Sequence, residues 1–355
     1  MLNRVEKLRN EMDKQDIDAV FIDKKEDVIY LSGFLGDDTF LFITKEKPYI
    51  ITDFRYVEQA QKEALGYEIL RCENKLWEQI KEIVKSKDIK TIGIQEDAIT
   101  YSRFKQYNSN LDGIKFTTIE DVLKRLRIVK TPDEIKEIKK AVKVADDAFT
   151  HIVKYIKVGM TEKEVALELE YFMKKKGASG LSFETIVASG VRSSMPHGVA
   201  SNKKIEYGDT ITLDYGAIYN SYCSDMTRTI FIGEPNKDIL KIYDIVKKAQ
   251  LEGIKYSKKG VLARDVDNAS RDIIDENGYG EFFGHALGHG VGIEVHEEPR
   301  VSRLGKTVLE DNMVITIEPG IYIPKLGGVR IEDMVVIQGN KADVLTSSSK
   351  EIIVI

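Results

Sequence analysis

The chain has few of the features that mark secreted, membrane-spanning or nucleic-acid-binding proteins. Two cysteines, Cys72 and Cys223, stand in 355 residues. That is too few for a disulfide framework, and they are read as reduced thiols of a cytoplasmic protein. No apolar run approaches the roughly 20 residues needed to span a bilayer. The opening stretch, MLNRVEKLRNEMDKQDIDAVFI, alternates charge with apolar residues at helical spacing, unlike a signal peptide. Basic residues are in no excess: 53 Lys and Arg against 58 Asp and Glu give a net charge of −5. Spread along the chain, they form no footprint for nucleic acid. Histidine is scarce as well, with five in all, so any cluster of them carries information.

The length accommodates two domains with substantial cores. Up to about residue 121 strands and helices alternate. Residues 18–22, 28–34, 39–44, 48–52 and 91–94 are rich in β-branched and aromatic side chains and read as strands. Residues 57–64 and 76–84 have helical periodicity. This N-terminal α/β domain contains no histidine, so the chemistry is expected in residues 122–355. There Thr131, Pro132 and Glu134 open a long helix as a capping box with proline at the first position. A second helix starts at Thr161 with Glu164 and stops at Gly177. Residues 183–189 and a hairpin over 210–233 follow as strands. The order then recurs, with helices over 238–256 and 262–277 ending at Gly278. Lys157, Gly159, Val165 and Gly177 match Lys258, Gly260, Val266 and Gly278, and Thr212-Leu213-Asp214 matches Thr316-Ile317-Glu318. An internal duplication with a pseudo-twofold relation is expected.

Three of the five histidines fall within GHALGHGVGIEVHE, residues 284–297. His285 and His289 have the spacing of a helical zinc site, but Ala286 stands where such a site needs glutamate. Four glycines at about 1 kcal/mol each also argue against a helix. An extended stretch approached closely by backbone or ligand is expected.

Carboxylates stand where strands disfavour them. Asp214 interrupts TITLDY, and Asp225 interrupts the return strand. A turn at Tyr219-Asn220 would set the two directly opposite, and a turn at Asn220-Ser221 would set them diagonally. Either register leaves both on one face. Glu318 and Glu332 repeat the pattern in the second half. Four unpaired buried carboxylates would be prohibitive. A salt-bridge network to Arg228 or Arg330 would relieve some of the charge, but a pair of divalent cations accounts better for all four. An oxygen-rich set with one imidazole favours Mn²⁺ over a thiolate-type zinc site. Co²⁺, Zn²⁺ and Fe²⁺ are the alternatives. Two such ions can lower the pKa of a shared water for attack on a carbonyl.

The segments LDYG…SDMTRT, GHGVGIEVHE, TIEPGIYIP and GGVRIED resemble those of the creatinase, aminopeptidase P and methionine aminopeptidase group, the pita-bread metallopeptidases, and most of all its prolidases and Xaa-Pro aminopeptidases. The resemblance implies an α+β catalytic domain with a curved six-stranded antiparallel sheet backed by helices. It implies Asp214 and Asp225 as ligands, with Asp225 bridging, His289 and Glu318 on the other metal, and Glu332 as the second bridge. His197 and His296 match histidines that contact substrate and intermediate, and Glu318 the residue that takes a proton from the attacking water. His285, Tyr322 and Arg300 match substrate-side residues, with Arg300 as an anchor for the proline carboxylate, and Arg330 would orient the carboxylates beside it. The smaller N-terminal domain commonly forms a homodimer in this group.

The expected activity is hydrolysis of the bond before proline in Xaa-Pro dipeptides, with longer peptides as the alternative. Methionine aminopeptidases usually lack such an N-terminal domain, and creatinase works without metals. A non-catalytic module would have degraded ligands, and a phosphoesterase would need clustered cations for phosphate. His151, Cys72 and Cys223 have no assigned role.

Overall fold

The computed structural model describes residues 2–73 and 75–355, and the chain divides into the units Met1–Arg127 and Ile128–Ile355. The first unit is built on a six-stranded mixed sheet. Its order is Glu68–Arg71, Pro48–Thr52, Phe40–Thr44, Ala19–Ile22, Thr91–Ile94 and Lys115–Thr118. The three middle strands of the Ala19–Thr52 meander pair antiparallel, and the outer ones are parallel. Phe21, Phe42 and Tyr107 stack at its centre.

One expected strand of this unit is a helix. The β-branched and aromatic content of residues 28–34 predicts an extended segment, but Lys25–Ser32 is helical. Gly33 closes it with φ 75° and donates its N–H to Ile29 O. Glu26 and Asp27 lie in the first turn, where they complement the helix dipole. Tertiary contacts decide the matter: Asp27 is buried and accepts from Arg127 at 2.8 Å and Gln95 at 2.6 Å.

In the second unit the helices Pro132–Tyr155 and Glu162–Lys175 both begin with complete capping boxes, at Thr131/Glu134 and Thr161/Glu164. The helices Lys237–Tyr256 and Ala263–Glu276 occupy the corresponding places in the second half. The duplication extends to single hydrogen bonds. Gly159 N donates to Ile205 O and Gly260 N to Leu309 O, each at 2.8 Å, and both glycines have positive φ.

Strands Ile186–Ser189, Thr210–Tyr215 and Met226–Phe231 form one antiparallel set. Gly288–Gly290, Val314–Ile317 and Asp333–Gln338 form its counterpart, extended at its edges by Glu297–Val301 and Lys341–Val344. The Glu332 N–H donates to Thr227 O at 3.1 Å, joining the two sets of three. Each set packs a helix pair over its own core. Val165, Leu169, Ile211, Leu213 and Met226 fill one, and Val246, Val266, Ile315, Ile317 and Val335 the other.

Candidate metal centre

The hairpin register fixes the first two carboxylates. Ile218 pairs with Cys223 and Asp214 with Thr227, so the turn is Asn220-Ser221, with φ of 46° and 70°. Both turn residues are left-handed, which matches the twist of a two-residue hairpin. Asp214 and Asp225 are therefore diagonal neighbours. Asp225 sits in the short break between strands Tyr222–Cys223 and Met226–Phe231.

In the second half Glu318 directly follows the strand Val314–Ile317, and Glu332 directly precedes Asp333–Gln338. Ile317 pairs with Asp333, so the two glutamates leave the sheet opposite each other. The segment 284–297 forms no helix, but it is extended only in part: residues 292–296 are bends, and His289 lies in the strand Gly288–Gly290. Side chains are excluded at its glycines. A Cβ on Gly288 would lie 2.0 Å from Thr316 O, and one on Gly290 would lie 2.1 Å from Glu298 O.

These elements bring the ligand types together. Asp225, His289 and Glu332 each offer an atom within 4.8 Å of the other two. His289 Nε2 lies 3.5 Å from Asp225 Oδ2 and 3.3 Å from Glu318 Oε1. The His289 Nδ1 faces its neighbour Gly290 O at 3.0 Å, which leaves Nε2 pointing at the carboxylates. Asp214 is held by Arg330 through Nη2–Oδ2 at 2.5 Å. Its other oxygen, Oδ1, is buried with no hydrogen-bond partner. A buried, orphaned carboxylate oxygen calls for a cation. The donor set of four carboxylates and one imidazole suits a hard or borderline divalent ion.

The electrostatics point the same way. Burial, then the charge of Asp214, pushes the Asp225 carboxyl well above its usual range, and burial with Asp225 does the same to Glu332. Asp214 is also raised by burial, against the pull of Arg330. Burial opposes the His289 cation, yet Glu318 and Asp225 outweigh it and push the imidazole up to about 9. Glu318 is correspondingly lowered, because His289 overcomes the cost of its burial.

Around this cluster, Arg330 also donates to Thr227 Oγ1 at 3.0 Å, Tyr322 OH at 2.7 Å and Pro196 O at 3.2 Å. Tyr322 OH meets His285 Nε2 at 2.9 Å, and the His285 ring packs edge-on to Phe283. The His289 and His296 rings are 4.4 Å apart. His197 and His296 are both exposed, and the positive charge of His197 is felt at His296. Arg300, on the strand Glu297–Val301, is exposed. Among the described residues its guanidinium makes no ion pair or hydrogen bond.

Two threonines escaped the sequence reading. Thr227 Oγ1 donates to Glu332 Oε2 at 2.8 Å, and Thr316 Oγ1 donates to Glu318 Oε1 at 3.2 Å while accepting the His289 N–H. Their signal was the strand period, since Thr316 lies two residues from Glu318 and Thr227 two from Asp225. Arg228 forms a buried pair with Asp333 at 2.7 Å and donates to the backbone oxygen of Glu332. His151 is outside the cluster, against Glu168 at 2.6 Å and stacked on Phe172. Cys223 is buried and faces Ile293 O.

Comparison with known proteins places this arrangement. The model of metallopeptidase family M24 matches residues 136–339, and that of the creatinase/prolidase N-terminal domain matches residues 4–129. The chain belongs to metallopeptidase family M24. It is 45% identical to the Xaa-Pro dipeptidase of Pyrococcus furiosus, over 99% of this chain and 100% of that one. The structure of a Xaa-Pro dipeptidase from Bacillus anthracis superposes with a TM-score of 0.96 at 45% identity, covering 100% of this chain and 99% of that one. An X-Pro aminopeptidase from Thermotoga maritima superposes with a TM-score of 0.91 at 41% identity, covering 96% and 98%. This M24 peptidase thus has the creatinase-type α/β domain and the pita-bread catalytic domain. It is a hydrolase of a family that works with divalent metal, and prolidases are among its near relatives.

Proposed function

We propose that this M24 peptidase hydrolyses the bond before proline in Xaa-Pro dipeptides, using two divalent ions, Mn²⁺ first among them. The observation that carries the metal reading is the gathering of Asp225, His289 and Glu332 within 4.8 Å, with Glu318 3.3 Å from His289 and Asp214 Oδ1 buried and unpartnered. These five, Asp214, Asp225, His289, Glu318 and Glu332, would hold the ions. When bound, such a pair supplies a water of lowered pKa and polarises the scissile carbonyl.

The chain's own residues perform the remaining work. Glu318, steadied by Thr316 Oγ1, accepts the proton of the attacking water. Desolvation holds His296 below the ordinary imidazole range. It is therefore neutral near pH 7, with one N–H to donate to the oxygen on which charge develops. His197 supports it from across the site. Arg330 keeps Asp214 and Tyr322 in place, and His285 with Tyr322 lines the leaving-group side. Burial lowers the pKa of His285, so it acts as a neutral ring. Arg300, whose guanidinium has no ion pair or hydrogen bond among the described residues, is available to a proline carboxylate.

The test of this reading is His296→Ala. It should lower kcat by about 10²-fold or more while bound metal per chain stays at the wild-type value. Wild-type kcat in that variant would remove His296 from the mechanism. Asp225→Asn should lose both metal and activity. The match to an aminopeptidase of similar fold keeps cleavage of longer Xaa-Pro peptides as the second reading.

A further inference from the structure

Lys130 is an ammonium group 3% exposed, just before the Thr131 capping box. A lysine so deeply buried is rare unless it is paired. Its carboxylate partner is Glu297 Oε2 at 3.1 Å, and both side chains are almost entirely shielded from water. Glu297 immediately follows His296 in the chain.

The carboxylate of Glu297 is the hub of the loop that presents His296. Oε1 accepts the Glu294 N–H at 3.1 Å, so its two oxygens tie down both the start of the loop and Lys130. The loop closes around it: Gly292 N donates to Glu294 O at 3.0 Å, and Gly290 pairs with Glu297 across the sheet. Gly292 leaves the space it needs, since a Cβ there would lie 2.6 Å from Glu297 Oε2. His296 is the exposed tip of a loop whose anchor is wholly internal.

Lys130 is itself fixed to the metal-binding strand. Its N–H donates to Asn312 O at 3.0 Å, and Val129 bridges Met313. Met313 leads directly into the strand Val314–Ile317, which Glu318 directly follows. The chain of contacts from Asn312 through Lys130 and Glu297 therefore registers His296 against the strand that carries Glu318.

We propose that Lys130 is a positioning residue for His296, acting through the buried carboxylate of Glu297. This rests on the role given to His296 above. Without the ammonium, Glu297 loses the counter-charge that Lys130 gives it at 3.1 Å in a dry site. Breaking this buried pair shifts the carboxylate, and with it the Glu294–Glu297 loop that the carboxylate ties. A displacement of about 1 Å in a reacting group costs up to about 10²-fold in rate.

The experiment compares Lys130→Met, Lys130→Arg and Lys130→Met/Glu297→Gln with wild type, all saturated with Mn²⁺, on an Ala-Pro dipeptide. Histidine Cε1–H NMR of the five rings is recorded on the same proteins loaded with diamagnetic Zn²⁺, since paramagnetic Mn²⁺ would broaden nearby rings beyond detection, with the His296 signal assigned by its loss in His296→Ala. Lys130→Met should lower kcat about tenfold with KM and bound metal unchanged. Its His296 signal should shift or broaden while that of His151 stays put, and Lys130→Arg should recover most of the loss. The double variant removes the charge of Glu297 together with that of Lys130. It should fold even if Lys130→Met does not, and it should still show the kcat loss. Wild-type kcat with an unmoved His296 signal, in whichever of these variants folds, would overturn the proposal. If His296→Ala itself retains kcat, the mechanistic reading fails, and the His296 signal in Lys130→Met still decides the positioning claim.

Discussion

Replacing Arg330 with methionine tests the electrostatics of the centre. The guanidinium is 4% exposed and is the cation in contact with Asp214, at 2.5 Å. Methionine keeps much of the aliphatic volume and removes the charge along with the bonds to Thr227, Tyr322 and Pro196. Breaking a buried pair by deleting one partner costs about 3–5 kcal/mol. For a unit of roughly 230 residues each kcal/mol is about 2–4 °C in Tm, so the metal-free variant should melt about 6–20 °C lower. The sign with pH follows from Asp214. Burial already raises its carboxyl, and the loss of Arg330 raises it further, so the folded variant binds a proton that the unfolded chain releases. Destabilisation should therefore grow as pH rises from 6 to 8. Divalent metal supplies Asp214 with a new counter-charge, so the gap to wild type should narrow when Mn²⁺ is added. Scanning calorimetry on stripped and loaded protein at both pH values measures this. An unchanged Tm in the stripped variant, or the same gap with and without metal, would refute the reasoning.

Metal loading should itself depend on pH. In the metal-free chain His289 titrates near 9 and must lose its proton to bind, so affinity should rise by up to about tenfold per pH unit from 6 to 9 for each displaced proton. Calorimetric titration in buffers of different ionisation enthalpy would show the protons released, and a pH-independent affinity would contradict the assignment. Of the two cysteines, exposed Cys72 should be alkylated in the native protein, whereas Cys223, 2% exposed, should react only in denaturant. Mass spectrometry counts the adducts, and two in the native state would contradict its burial. Gly216→Ala should cost about 1–3 kcal/mol and weaken metal binding, because its Cβ would stand 1.9 Å from Ser224 O, beside Asp225. Wild-type melting and wild-type affinity would contradict the tight approach of the hairpin strands.

The architecture of the second unit was legible because its signals are local and repeated. Capping boxes at Thr131 and Thr161, stop glycines at 177 and 278, and carboxylates in apolar strands each have one economical explanation. The register of the Asp214–Asp225 hairpin was open, since turns at 219–220 and 220–221 both keep the two acids on one face. Left-handed Asn220 and Ser221 settle it, and serine gives little advance notice of that conformation. The first unit was harder to read. Residues 28–34 have strand composition, but the buried contacts of Asp27 with Arg127 and Gln95 come from residues 68 and 100 positions away. The short strands Glu68–Arg71 and Lys115–Thr118 are partly exposed and carry no clear alternation. The supporting contacts of Thr227, Thr316 and Lys130 depend on strand register and loop path, which the order of residues does not express.

The central claim is tested most directly with protein stripped of metal and restored with Mn²⁺, assayed on Xaa-Pro dipeptides and Xaa-Pro-Xaa tripeptides. The account predicts no cleavage without metal and, with it, hydrolysis of the dipeptides well ahead of the tripeptides. Cleavage confined to the tripeptides would reassign the substrate to longer chains, and activity that persists in fully stripped protein would contradict the metal centre itself.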